Sequence, residues 1–209
     1  MPRDGSITRT AIMDAAQSLI LDQGFAATSV DQIIAKTGIT KGAFFYHFKA
    51  KSALAQALID RHALLDKAHY DSTLAKVQSL TSEPRAQLLL LVGILADEME
   101  GMTEPYPGCL YASYCYEVQL FDDNTAGTIV DALLYWRKEL GALIQRVIDG
   151  HPPRFDTKAE DLADMVLSLY EGGFILERTH ETAGLTGIHL RHFRQYLEML
   201  FPETSAHEA

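Results

Sequence analysis

Apolar residues recur along this chain every three or four positions, and no alternating β-branched run bounded by hairpin turns interrupts that rhythm. Ile7, Ala11, Ile12, Ala15, Leu19 and Ile20 share one side of a first predicted helix, which stops at Gly24. In "TSVDQIIAKTG", Ser29 is placed as an N-cap with Gln32 as its capping-box partner, Ile33 and Ile34 face inward, and Gly38 ends the second helix. Thr40 caps a third helix that lasts to about Phe48. A long helix over 52–80 carries Leu54, Leu58, Leu65 and Leu74, and "TSEP" breaks it. Further helices are expected over 85–102, 107–121, 125–149, 157–181 and 187–201, with Pro107 in a first turn. The tail over 202–209 is expected to fray. The pattern predicts an all-α protein of about nine helices with short loops, without internal repeat or low-complexity segment.

Composition narrows the class. An apolar share of 47% among 209 residues supplies a core, and the longest apolar run, Leu88 to Ala96, is interrupted by Gly93. That run is far short of the roughly 20 residues that span a bilayer. The first residues show no apolar signal region, and two cysteines make no disulfide framework, so a cytoplasmic protein with no membrane contact is expected. The net charge of −10 is unevenly spread. Six cations (Arg3, Arg9, Lys36, Lys41, Lys49, Lys51) face four anions (Asp4, Asp14, Asp22, Asp31) up to position 51, so that stretch carries +2 and the remainder −12. Such asymmetry points to two tasks on one chain, with a nucleic-acid surface permitted at the front.

The stretch "TKGAFFYHFKAK", from Thr40 to Lys51, carries that possibility. Helix two, the turn at Gly38 and helix three read as a helix-turn-helix, although any two short helices joined by a glycine share that outline. Phe44 and Phe48 are four apart and share an inward face. Thr40, Lys41, Ala43, Phe45, Tyr46 and His47 divide the rest: small residues for close approach, cations for phosphate, planar groups for base or sugar edges. Gly42 costs roughly 1 kcal/mol against Ala in a helix, and it either admits DNA closely or eases a tight first turn.

With these residues in view, residues 7–54 resemble the DNA-binding domain of the TetR family of transcriptional regulators; the matching elements run from Ala11 to Leu54, with the pattern "GF.ATSV..IIA.TGITKGAFFYHFK.K..L". The resemblance implies a three-helix DNA-binding domain over 1–51. It also implies a larger helical domain for ligand binding and dimerisation over 52–209. By position it implies that Thr40 and Lys41 cap helix three and approach phosphate, that Ala43 faces bases, and that Tyr46 and His47 contact backbone or base edges. Lys51 would hold a phosphate and Ser29 would anchor helix two by its N-terminal amides. Many members of the family carry Tyr where this chain has Phe45, so Phe45 is left with packing or a sugar contact.

In the acidic remainder, "PYPGCLYASYCYE" holds two cysteines and four tyrosines in thirteen residues. Cys109 falls in a predicted first turn, where a helix N-terminus favours thiolate, which makes it either a sensor of electrophiles or oxidants or a small buried hydrophobe. "GCL" resembles a subset of TetR-like regulators that sense in this way. Cys115 lies about 240° further round the helix and does not pair with Cys109 within it. Tyr111, Tyr114, Trp136, Tyr170, Glu171 and Phe174 are candidate pocket residues, each equally readable as core, and a buried Glu171 would need a partner.

Helix eight (Met165, Leu169, Gly172, Gly173, Leu176) and helix nine (Leu190, Phe193, Leu197, Leu200, Phe201) offer a dimer seam or an internal core, and the resemblance favours the seam. Two reading heads about 34–36 Å apart would fit a partly palindromic operator. No metal-ligand spacing, glycine-rich phosphate loop or nucleophile triad stands out, so no metal, no cofactor and no enzyme is expected. The rival reading is a helical protein-interaction adaptor that docks through the aromatic stretch.

Overall fold

The computed structural model describes residues 5–202 and is all-helical among them. The expected fraying of the tail falls on 203–209, outside the described residues. Helices α1 (Gly5–Gln23), α2 (Val30–Thr37), α3 (Lys41–His47), α4 (Lys51–Leu80) and α5 (Pro84–Glu100) follow one another closely. Then come α6 (Leu110–Cys115), a 3-10 turn at Val118–Leu120, α7 (Asp123–Gly150), α8 (Ala159–His180) and α9 (Leu185–Leu200).

One departure from the periodicity matters. The single helix expected over 107–121 is a six-residue α6 followed by the 3-10 turn. Gly108 takes φ +116°, a backbone that ends any helix begun at Pro107, so Pro107 lies outside the helix and Cys109 becomes the N-cap. Three positions of the apolar stripes also differ: Ile7, Ala11 and Leu65 are exposed.

The chain divides into two compact units, Met1–Asp66 with Pro107–Ala132, and Lys67–Tyr106 with Leu133–Ala209. In the first, α1 packs on α2 and on α6, and α2 meets α3. Ile12, Ile20, Ile33, Phe44, Leu54 and Leu58 are all but fully buried there. Arg61 on α4 binds Asp14 Oδ1 at 2.7 Å and Gln17 Oε1 at 2.9 Å on α1. Gln56 Oε1 accepts from Thr125 Oγ1 at 2.7 Å, near the start of α7.

The second unit is built on α5, α8 and α9 with the C-terminal parts of α4 and α7, around a cluster that includes Tyr70, Leu91, Leu143, Leu190 and Leu197. Glu83 starts α5 by accepting from the amides of Arg85 (2.8 Å) and Ala86 (2.5 Å), with Pro84 in the first turn, so "TSEP" ends one helix and opens the next. Where α9 meets α5 and α8, backbones approach closely. A Cβ on Gly187 would stand 2.5 Å from the Ala96 carbonyl oxygen, and one on Gly173 would stand 2.9 Å from Thr186 Cα. No described helix is long and apolar enough to cross a membrane.

Candidate nucleic-acid interface and effector region

Short helices have little face to bury, so their ends decide where they sit. In α2, Gln32 N–H donates to Ser29 Oγ at 3.2 Å while Ser29 N–H donates to Gln32 Oε1 at 2.7 Å, a complete capping box. Gln23 at the end of α1 also donates to Gln32 Oε1, at 3.2 Å, so the two helix ends share one acceptor. Gly38 closes α2 at φ 69° with its N–H on the Ile34 carbonyl (2.9 Å). Thr40 Oγ1 then accepts from Ala43 N–H at 3.2 Å and opens α3.

On α3 the division expected from spacing is present. Phe44 and Phe48 are buried, and the Arg9 guanidinium lies 5.0 Å from the Phe48 ring centroid. On the other side Thr40, Lys41 and Gly42 are exposed, Tyr46 is 75% exposed and Phe45 is 38% exposed. Ala43 and His47 are half-buried, and the His47 and Tyr46 rings meet edge-on at 5.0 Å. Lys41 Nζ reaches Asp31 Oδ1 at 3.4 Å across open surface, a contact that water and salt weaken. Phe45 rests its ring edge-on against Phe44 at 5.2 Å.

Lys51 is placed differently from its neighbours. Its ammonium donates to the Phe25 carbonyl and lies 4.0 Å from the Phe25 ring centroid. Burial holds its pKa below the usual lysine value, and the Glu117 carboxylate offsets part of that. Binding a phosphate would require it to leave the Phe25 carbonyl.

The effector candidates are divided between the two units. In the first, Cys109 is half-buried at the N-cap of α6, with Ser113 donating to its carbonyl from N (3.1 Å) and Oγ (3.0 Å). Tyr111 and Tyr114 are buried on one face of α6; the Tyr111 hydroxyl lies beside Asp66, and the Tyr114 hydroxyl has no hydrogen-bond partner among the described residues. Burial pushes the Tyr111 phenol up, aided by the charge of Asp66. The Tyr111 ring stands 4.6 Å from that of His62, whose pKa is lowered by burial against the opposing pull of Asp66. Cys115 is exposed.

In the second unit, Trp136 is buried with its ring 4.5 Å from Tyr70, whose fully buried hydroxyl is likewise without a partner. Phe174 stacks on Tyr106 at 4.3 Å and meets Tyr170 at 5.7 Å. Glu171 is half-buried, and the deeply buried acid of α8 is Glu177 instead. Glu177 accepts from the amides of Tyr106 (2.9 Å) and Thr186 (2.8 Å). Burial alone would raise its pKa; the two amides, the Thr186 hydroxyl and the charge of His189 together outweigh it and the net direction is down.

The seam residues expected on α9 are corrected by burial. Leu190, Phe193, Leu197, Leu200 and Phe201 all lie in this chain's own core, because α9 packs against both α5 and α8. Gly173 is likewise consumed by Thr186, whereas Met165 and Leu176 are exposed and Gly172 faces open space. His62, Asp66, Tyr70, Glu117 and Glu177 were not singled out by the sequence pattern. Only the unusual depth of a glutamate amid "GGFILERTH" hints at the last of them. Among the described residues no group of three or more His, Cys, Asp or Glu is arranged to hold a metal ion.

Residues 12–58 match the family model described as "Bacterial regulatory proteins, tetR family". The regulator AcuR of Cereibacter sphaeroides is 24% identical over 177 residues, covering 82% of this chain and 77% of that protein. The regulator UidR of Escherichia coli is 33% identical over 115 residues, covering 50% of this chain and 57% of its own length. A TetR-family regulator from Agrobacterium tumefaciens shares the fold, with a TM-score of 0.74 at 20% identity over 95% of this chain and 100% of that one. The matched segment over 12–58 is thus similar to the DNA-binding domain of tetR-family regulators, and the whole chain shares their fold.

Proposed function

We propose that this regulator is a ligand-responsive repressor that acts in the cytoplasm, binds a partly palindromic operator as a homodimer, and is released by a small molecule or by modification of the Cys109 thiol. The observation that carries the reading is the two-sided α3: Phe44 and Phe48 anchor it from beneath while Lys41, Phe45 and Tyr46 stand exposed above. In this reading residues 1–51 read DNA. Thr40 and Lys41 approach phosphate, Ala43, Tyr46 and His47 address base or backbone edges, Phe45 packs on sugar, and Ser29 presents the amides of α2. Lys51 joins them only after releasing Phe25.

Residues 52–209 take the effector, with Cys109, Tyr111 and Tyr114 as one group and Trp136, Tyr170, Glu171 and Phe174 as another. The partnerless hydroxyl of Tyr114 supports a polar effector, since buried hydroxyls are rarely left unsatisfied. Dimerisation uses the exposed stripes of α8 (Met165, Gly172, Leu176) and α9 (Ile188, Met199).

Selection from random duplex DNA tests the reading. A partly palindromic site is expected, with binding weakened at least about tenfold, or roughly 1.4 kcal/mol, in Lys41→Ala and His47→Ala, and with affinity that falls steeply as salt rises. No enrichment at low salt would overturn the proposal in favour of a protein-docking role.

A further inference from the structure

The turn between α1 and α2 is gripped from both of its polar sides. Phe25 N–H donates to Glu117 Oε2 at 2.9 Å, and Ala26 N–H lies 3.2 Å from each oxygen of the same carboxylate. On the opposite side the Phe25 carbonyl accepts from the Lys51 ammonium, which also sits over the Phe25 ring. A carboxylate therefore holds the amides of this turn and an ammonium holds its carbonyl, both through charge-assisted hydrogen bonds. The Phe25 ring is fixed in turn by Tyr114 (5.6 Å) and Phe121 (4.6 Å), which stack on one another at 4.2 Å and flank Glu117 in sequence.

This turn leads directly into the capping box of α2, and α2 meets α3. Glu117, more than 90 residues further along the chain, thus holds the point from which the helix-turn-helix departs. Ala26 is exposed and the Phe25 amide is part-buried, so water can replace Glu117 fully at the first and in part at the second. What water cannot replace is a fixed position.

We infer that Glu117 is the positioning residue of the DNA-reading head: its carboxylate, carried on the segment that follows α6, sets the placement of the α1–α2 turn and through it the operator affinity. The inference rests on the proposed reading of α3 as the DNA-contacting helix. It also gives the segment begun by Cys109 a route to DNA binding, since Cys109 and Glu117 stand at the two ends of the same eight-residue step.

The test measures Glu117→Gln and Glu117→Ala against the wild-type protein, by fluorescence anisotropy on the selected operator and on an unrelated duplex of equal length. Urea unfolding of all three proteins is followed in parallel. Operator affinity is expected to fall tenfold or more in both variants, binding to the unrelated duplex to change less than threefold, and the unfolding midpoint to move little. A residue needed only for folding would shift all three readings together, and that result overturns the inference. Operator binding within twofold of wild type in both variants also overturns it, while leaving the proposed function standing. A wild-type protein that enriches no duplex removes the proposed function and this inference with it.

Discussion

The reading head and the α5–α8–α9 layer solve the same problem by opposite means. In the head, α2 and α3 are eight and seven residues long and bury chiefly Ile33 and Phe44. Their placement comes from what binds their ends: Ser29 with Gln32, Thr40 with Ala43, and Glu117 and Lys51 on the turn ahead of them. In the layer the helices are 16 to 22 residues long, and their faces do the holding, with leucines packed around backbones that touch at Gly173 and Gly187. A helix held by its ends can shift when one end-partner moves. A helix held along its face resists until the whole face gives. Local opening is thus expected to cost less in the head than in the layer.

If the layer depends on close backbone approach, the largest effect belongs to Gly187→Ala. The added carbon meets backbone atoms of α5, the Ala96 oxygen at 2.5 Å and the Glu100 nitrogen at 2.6 Å. A loss of about 3 kcal/mol in urea unfolding is expected, at the upper end of overpacking costs, and a neutral variant would break the comparison on its stronger side.

Glu177→Gln comes next. It leaves one of the buried amides of Tyr106 and Thr186 facing an N–H instead of an oxygen, at a cost of about 2 kcal/mol. The pH dependence has a definite sign. The folded pKa of Glu177 is depressed, so its contribution is complete above the unfolded value of about 4.3 and is lost as pH falls through the folded value. The gap between wild type and variant should accordingly narrow below about pH 4. A gap that widens on acidification would contradict the depressed value.

The smallest effect sharpens the other side. Ser29→Ala removes one exposed cap bond and should cost about 1 kcal/mol of stability. Operator affinity should fall by more than that loss alone predicts, because the cap fixes α2. Equal losses in both readouts would mean the head is held by its face after all.

The two regions were not equally legible in the sequence. The capping box at Ser29, the stop at Gly38, the cap at Thr40 and the burial of Phe44 and Phe48 were all readable, because each rests on residues within four positions of one another. Glu117 and Lys51 were not readable in the same way, since their partners at Phe25 and Ala26 lie 26 to 92 positions away and periodicity carries no such information. The break of the 107–121 segment turned on Gly108 adopting positive φ, which composition permits without requiring. The side of α9 that faces inward was visible as a stripe, but a stripe alone does not tell an internal core from a subunit seam. The choice followed from α5 and α8, which together cover that stripe within one chain.

Gly24 stands at φ 86°, and a side-chain carbon there would meet a Glu117 carboxylate oxygen at 3.3 Å. In genetic terms this makes position 24 a sensitive site. A single added methyl group strains the turn and crowds its acceptor, Glu117, while leaving the exposed face of α3 untouched. If the inference on Glu117 holds, substitutions that weaken operator binding would then gather in a turn set apart from the exposed face of α3.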